Sequence, residues 1–288
     1  MTTTERPSVR TQFLIFTLFG EFILARGGSI WTSGLLSLLH HLDVGEHAAR
    51  ITLSRMSRKG WLAVRKEGRR SQYSLTPRGW SLLAQGEKRI FEPPLKEWDG
   101  MWHIVVFSLP EKKRSLRHAF RTRLPWFGFG PLAPNTWISP HNRKTEITAL
   151  CNDLGIQDHV EIFSGIHAGP SEDQQLVQRC WELPNLTAQH KKFITQFESE
   201  YLECKNNGKH APALDECFVR RFWLTHHFQN LTRTNPNLPA ALLPSGWIGF
   251  KSRQLFDDYR RILEAPANQF VDEVVGRLEF IDLQGRPS

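Results

Sequence analysis

Between Glu46 and Lys59 the chain groups side chains that can hold phosphates and touch base edges. At about 100° per residue, a helix with Leu53 at the centre of one face brings Ala49, Thr52 and Met56 beside it. The opposite face then collects His47, Ile51, Arg55 and Arg58, flanked by Arg50 and Ser54. These supply hydrogen-bond donors for phosphate oxygens and base edges, with one apolar group for a thymine methyl, in a form that fits a major groove. Taken alone, the same face also reads as a solvated basic helix. The next residues of the chain favour the groove. Gly60 ends the helix, and Trp61–Val64 and Gln72–Leu75 flank the turn Glu67-Gly68-Arg69-Arg70, which predicts a hairpin with a cationic tip. Arg65, Lys66, Arg69 and Arg70 are placed to lie along a phosphate backbone or in a minor groove, and Thr76-Pro77 starts another helix in cap and first-turn positions.

The elements that must carry this face precede it. Ser8–Arg26 predicts a helix apolar on most sides, through Phe13, Leu14, Phe16, Leu18, Phe19, Phe22 and Ile23, and stopped by Gly27-Gly28. Such a helix packs in a core and can also meet a second subunit. Trp31–Leu42 predicts a shorter helix capped by Thr32 or Ser33, and Asp43-Val44-Gly45 makes the turn into the basic helix. Charge agrees with this layout. Residues 1–90 carry fourteen Lys or Arg against six Asp or Glu, whereas the remaining 198 carry 23 of each, so the whole net charge of +8 arises in one third. A positive field confined to one compact region is the footprint of phosphate binding. The combination predicts a winged helix-turn-helix on duplex DNA; RNA, a winged module that binds protein, and acidic membrane or protein surfaces are the alternatives.

Beyond Pro93-Pro94, read as a linker, Trp102–Ser108 is a short apolar strand, Pro110 opens a basic helix to Leu124, and strands near Thr136–Ser139 and Val160–Ile166 bracket a helix Arg143–Leu154 closed by Gly155. That order suggests a ferredoxin-like βαββαβ unit. After Gly169 the pattern turns helical: Thr187 is expected to cap a helix bearing Phe193, Phe197 and Tyr201, a second helix spans about Ala213–Leu231, and a last one runs Lys251–Leu263. The expected class is α+β and multidomain, with a winged helix-turn-helix over 1–95, a ferredoxin-like domain over 96–172 and an α-helical domain over 173–288.

Cys151, Cys180, Cys204 and Cys217 show no Cys-x-x-Cys pairing and read as buried free thiols, and the pairs His40-His41 and His226-His227 lack partners at i+4, so neither a metal nor a cofactor is expected. No apolar run approaches the roughly 18 to 20 residues that span a bilayer, and the N-terminus lacks the order of a secretory signal, so a cytoplasmic address with no membrane partner is expected.

Arg10-Thr11-Gln12-Phe13 with Phe19-Gly20, Ile30-Trp31-Thr32, Ala48-Ala49-Arg50, Leu53-Ser54-Arg55-Met56 and Arg58-Lys59-Gly60-Trp61 together resemble the PaaX family of phenylacetic acid degradation repressors. Gly68-Arg69-Arg70, Tyr73, Leu75-Thr76, Trp98-Asp99-Gly100, Phe107–Glu111, Gly128-Phe129-Gly130 and Trp137–Pro140 extend the resemblance over nearly the full length. It implies a GntR/MarR-like winged helix, a central domain similar to the small CRISPR-associated ferredoxin-like nuclease, and a family-specific helical C-terminus. It also implies a homodimer on a palindromic operator, released by an aryl-coenzyme A thioester such as phenylacetyl-coenzyme A, so that an aromatic-acid catabolic operon is transcribed. The chain departs from the family at Thr225-His226-His227-Phe228-Gln229, where a basic stretch is expected, and at Asn235, where Asp is expected before Pro236.

The resemblance assigns no effector residue. Chemistry alone selects Arg220 and Arg221 for coenzyme A phosphates, with Phe222 and Trp223 beside them for an aryl group; Lys112, Lys113 and Arg114 offer the same charge and also read as a solvated face. Two other functions compete with the repressor: an activator with another effector, and a metal-dependent nuclease on the central domain. A nuclease needs carboxylates that hold a divalent ion, yet His103–Ser108 contains none before Glu111 and Asp99 precedes it, so an enzyme is not expected.

Overall fold

The computed structural model describes residues 7–91, 97–206 and 212–284; the linker expected at Pro93-Pro94 lies outside them. The chain mixes helix and sheet and ends in a helical region. It forms two compact units, one of Met1–Phe91, Thr195–Gln229 and Arg253–Ser288, the other of Glu92–Ile194 and Asn230–Ser252. Compactness therefore does not follow sequence order.

The first unit opens with α1 (Pro7–Leu18), which widens into a π-helical turn, Phe19–Ile23, before a short 3-10 turn to Arg26. Leu14, Ile15, Leu18, Phe19, Phe22 and Ile23 are buried, as a helix apolar on most sides requires. The wider turn also buries Glu21. Next come β1 (Ser29–Trp31), α2 (Thr32–His40), α3 (Glu46–Arg58), β2 (Leu62–Glu67), β3 (Arg70–Leu75) and α4 (Pro77–Phe91). The sequence pattern does not announce β1: three residues are too few for an alternating signal, and only pairing with β3 makes them a strand, giving the sheet order β1-β3-β2. The expected Thr32 or Ser33 cap is corrected. Trp31 holds the cap position without a side-chain bond, and the Thr32 hydroxyl donates to the Ser71 carbonyl at 2.7 Å.

The second unit holds a four-stranded antiparallel sheet of β4 (Trp102–Phe107), β5 (Gly130–Ala133), β6 (Thr136–Ser139) and β7 (Val160–Gly165), in the order β5-β6-β4-β7. One sheet face, through Val105, Phe107 and Trp137, packs with Phe120 of α5 (Arg114–Arg123) and Ile147 and Leu150 of α6 (Lys144–Leu154). The other, through Trp102 and Ile138, is covered by Leu176 and Val177 of α7 (Asp173–Cys180) and by Leu183, Leu238 and Trp247. Two elements here exceed the sequence expectation: β5, whose Gly-Pro-Leu-Ala carries no strand signal, and α7. The helix expected directly after Pro110 begins later, because a 3-10 turn, Glu111–Lys113, precedes α5.

Three long helices complete the chain: α8 (Leu183–Asn206), α9 (Leu214–Thr234) and α10 (Ile248–Gln284). Thr187 is interior to α8, not its cap. α10 continues well past Leu263, because Pro266 sits inside a helix whose buried face, including Leu263, Ala267 and Val271, is held by tertiary packing. Cys151, Cys180 and Cys217 are buried, with thiols pushed up to about 11 by burial, and Cys204 is half-buried.

A buried ion cluster joins the N- and C-terminal segments of the first unit. Glu21 Oε1 accepts from Arg221 Nε of α9 at 2.6 Å and from Arg260 Nε of α10 at 2.9 Å, with the Glu21 and Arg221 side chains each only 3% exposed. Arg221 Nη1 also donates to the Glu264 carbonyl and to Asn268 Oδ1. Burial pulls the Arg221 guanidinium below its ordinary value and Glu21 opposes that. Phe22 packs on Phe218, Phe218 on Phe270, and Phe270 on His41 at the end of α2, while Arg26 pairs with Asp272 at 2.6 Å. Removing the carboxylate leaves the buried Arg221 guanidinium without the carboxylate it donates to, so Glu21→Ala is expected to destabilise this unit by about 3–5 kcal/mol. An unfolding free energy from denaturant titration within about 1 kcal/mol of wild type would contradict the role given to the cluster.

Candidate nucleic-acid interface

Ala49, Thr52, Leu53 and Met56 are the buried residues of α3, and the predicted opposite face is exposed at His47, Arg50, Ile51, Ser54, Arg55 and Arg58. Val44 and Leu42 are buried in the connection from α2, and Asp43 takes a positive φ there, so the turn is fixed from beneath. Arg50 is committed locally: its Nε donates to Glu46 Oε1 at 2.8 Å, an exposed pair one turn apart that opens at little cost. Arg55 and Arg58 lie in the last turn, where the helix dipole favours cations.

The hairpin is longer than its sequence signal. Glu67 pairs with Arg70, leaving a two-residue loop, Gly68-Arg69, in which Gly68 has φ 58°, accessible at little cost only without a Cβ. Alternation divides the four cations. Arg65 lies opposite Gln72, which pairs on its other side with Trp31, so Arg65, Gln72 and Trp31 form one row across the sheet. Arg70 shares that face, its guanidinium 5.8 Å from the Trp31 ring centroid. Lys66 projects from the other face, the one that carries the buried Ile30 and Leu62, and exposed Arg69 occupies the loop. Sequence reasoning misses Gln72 and Trp31 as members of this surface. The alternation in Gln72–Leu75 contains the signal for Gln72, but placing Trp31 requires β1.

Helix and hairpin are fastened at Lys59–Trp61. Lys59 Nζ sits 4.4 Å over the Trp61 ring, which packs on Phe16 of α1. Thr76 Oγ1 donates to the Gly60 carbonyl at 2.6 Å and accepts from the Gly79 N–H at 3.0 Å, the expected cap before Pro77. A Cβ on Gly79 would come 2.1 Å from the Trp61 carbonyl oxygen, so α4 can approach the hairpin base this closely only with glycine there.

The residues selected for an effector lie on α9. Arg221 is the buried partner of Glu21. Arg220 pairs with Glu203 and Glu216 and lines a small polar recess with Cys204 and Pro212. Trp223 is half-buried against Phe222, His226 and His227. His226 Nδ1 lies 3.1 Å from the Thr17 hydroxyl, and His227 Nε2 lies 3.3 Å from Gln196 Nε2. The stretch that departs from the family's basic pattern thus makes hydrogen bonds to α1 and α8. Among the described residues, no three His, Cys, Asp or Glu side chains converge as metal ligands, and no helix is long and apolar enough to cross a membrane.

Family models match three successive stretches: a PaaX-like protein model over residues 10–79, the PaaX protein central Cas2-like domain over 95–177, and the PaaX-like protein C-terminal domain over 181–273. The chain belongs to the PaaX family. It is similar to the transcriptional repressor PaaX of Escherichia coli (strain K12), with 32% identity over 264 residues covering 90% of this chain and 82% of that protein. A solved structure of an uncharacterized protein from Mycobacterium tuberculosis shares the fold, with a TM-score of 0.55, 21% identity, and coverage of 83% of this chain and 90% of that one.

Gly79→Ala is expected to unseat the hairpin base, at a cost near the upper end of overpacking penalties, about 3 kcal/mol. Thermal unfolding and hydrogen exchange at the Thr76 and Trp61 amides report it; unchanged protection there would refute the close-approach argument.

Proposed function

We propose that this chain is a ligand-responsive transcriptional repressor that holds duplex operator DNA through α3 and the β2–β3 hairpin. The observation that carries the reading is the division of α3 into a fully buried apolar stripe and an exposed face of Arg, His and Ser with one Ile, continuous with a cationic hairpin. Similarity to a protein named as a transcriptional repressor supports it. On this reading residues 1–95 are a winged helix-turn-helix, 96–172 a ferredoxin-like domain, for which the order β5-β6-β4-β7 speaks, and 173–288 a helical domain. The protein works in the cytoplasm as a homodimer on a palindromic site. It regulates rather than catalyses: β4 carries no carboxylate from which a nuclease metal site could be built.

The effector is an aryl-coenzyme A thioester, phenylacetyl-coenzyme A first, within the control of a phenylacetate catabolic operon. It acts by binding better to a conformation that holds DNA poorly. Arg220, with its recess and its exposed carboxylate partners, is the more available cation for such a ligand. Arg221 reaches one only if Glu21 lets go.

Gel shift on the chain's own upstream region, titrated with acyl- and aryl-coenzyme A thioesters, tests both halves. Wild type shifts the fragment and an aryl thioester releases it; no shift refutes the operator reading, and no release by any thioester refutes the effector. In the same assay Arg55→Ala or Arg58→Ala costs about 1–3 kcal/mol and relaxes selectivity at one base pair. Arg69→Ala weakens all sequences alike and lowers the salt slope by about one. An even loss from the helix variants, or an unchanged slope from the loop variant, removes that residue from its assigned role.

A further inference from the structure

The balanced charge of residues 91–288 conceals a strongly one-signed surface in the second unit. Residues 112–123 contain six Lys or Arg, one His and no Asp or Glu. Two of the six are occupied: Arg117 Nη2 donates to the Leu109 carbonyl and to Glu111, and Lys113 Nζ lies 3.2 Å from His159 Nε2. Lys112, Arg114, Arg121 and Arg123 are exposed and, among the described residues, have no ion-pair or hydrogen-bond partner. Helical spacing sets Arg114, His118 and Arg121 along one stripe, while Phe120 and Leu116 turn to the core.

A helix face that serves only solubility interleaves both signs. This one carries an electrostatic penalty instead. Arg114 and Arg121 stand on one stripe of like charge with no acid between them, and Lys112 to Arg114 crowd the positive end of the helix dipole, with no acid in the first turn. Both penalties vanish when a polyanion lies along the stripe. From Arg114 to Arg121 the axis advances about 10 Å, against about 3.4 Å per phosphate along one strand of a duplex, so the stripe matches a short run of phosphates. Past the end of α5, Trp126 is 42% exposed with the Arg233 guanidinium 5.5 Å over its ring, which continues the cationic surface.

We propose that the exposed face of α5 is a second phosphate-binding surface that holds duplex DNA outside the sequence read by α3, lengthening the footprint without adding base specificity. This rests on the operator-binding role proposed for α3. The α5 surface is assigned backbone contacts: its free groups are cations whose spacing matches a run of phosphates, it carries no Asn or Gln for an adenine edge, and the Thr122 hydroxyl already donates to the His118 carbonyl.

Fluorescence anisotropy of the full chain on a minimal operator duplex and on the same operator extended by about 15 base pairs on each side decides the matter. Wild type is expected to bind the extended duplex more tightly and with a steeper salt dependence. Lys112→Gln/Arg114→Gln/Arg121→Gln/Arg123→Gln should lose at least about tenfold on the extended duplex, with the salt slope falling by about 0.9 per lost contact, and stay within about twofold of wild type on the minimal one. Should that variant fail to melt cooperatively, Arg114→Gln/Arg121→Gln gives the same comparison, with Arg114→Lys/Arg121→Lys expected to retain the extra affinity. Equal wild-type affinity for both duplexes, or a neutralised variant indistinguishable from wild type on the extended one, overturns the inference while leaving the operator reading intact. Failure of wild type to bind either duplex overturns both.

Discussion

A single carboxylate organises the first unit. Glu21 is held in a π-helical turn, out of water, between the guanidinium groups of Arg221 and Arg260, and the cluster is completed by the Glu264 carbonyl and the Asn268 side chain. An ion pair this deep is not chosen for net stability, because a well-packed apolar replacement often does as well. Its effect is geometric. A carboxylate that accepts from cations on two helices distant in sequence ties both helices to the turn that carries it.

That constraint reaches the exposed cationic surface of α3 and the hairpin through short steps. Phe22 and Arg26 follow Glu21 on the same segment and meet Phe218 and Asp272, while Phe16 of α1 supports Trp61, the hinge between α3 and the hairpin. Phe270 of α10 packs on His41 at the end of α2. The helices that seat α3 are therefore seated on α9 and α10. Arg221 and Arg260 thus belong to the same packed assembly that seats α3.

The hairpin shows the complementary principle. Its outer row, Trp31, Gln72 and Arg65, and the Arg70 guanidinium over Trp31 leave one cationic face lying on an aromatic support, while Arg69 stands in the loop. Cations of equal charge thus differ in freedom: Arg70 is held close to one geometry over the Trp31 ring, whereas Arg69 stands exposed in the loop. At the base of the hairpin, Gly79 lets the start of α4 close against the Trp61 carbonyl.

Local periodicity and turn chemistry are enough to specify part of this molecule. The buried stripe Ala49, Thr52, Leu53 and Met56, the exposed Arg55 and Arg58, the hairpin around Gly68-Arg69 and the Thr76-Pro77 helix start follow from angular spacing and from φ requirements that a few neighbouring residues fix. The remainder depends on partners far along the chain, and folding alone brings them together. β1 and β5 are strands because β3 and β6 pair with them. α10 continues through Pro266 because its buried face is packed. Glu21 and Arg221 are 200 positions apart, and no local pattern tells a buried guanidinium from one offered to a ligand. The cations of α5 stand between these cases: residues 112–123 already hold six Lys or Arg and no Asp or Glu, and folding decides only which of them are engaged, since Arg117 turns to Leu109 and Glu111 and Lys113 to His159.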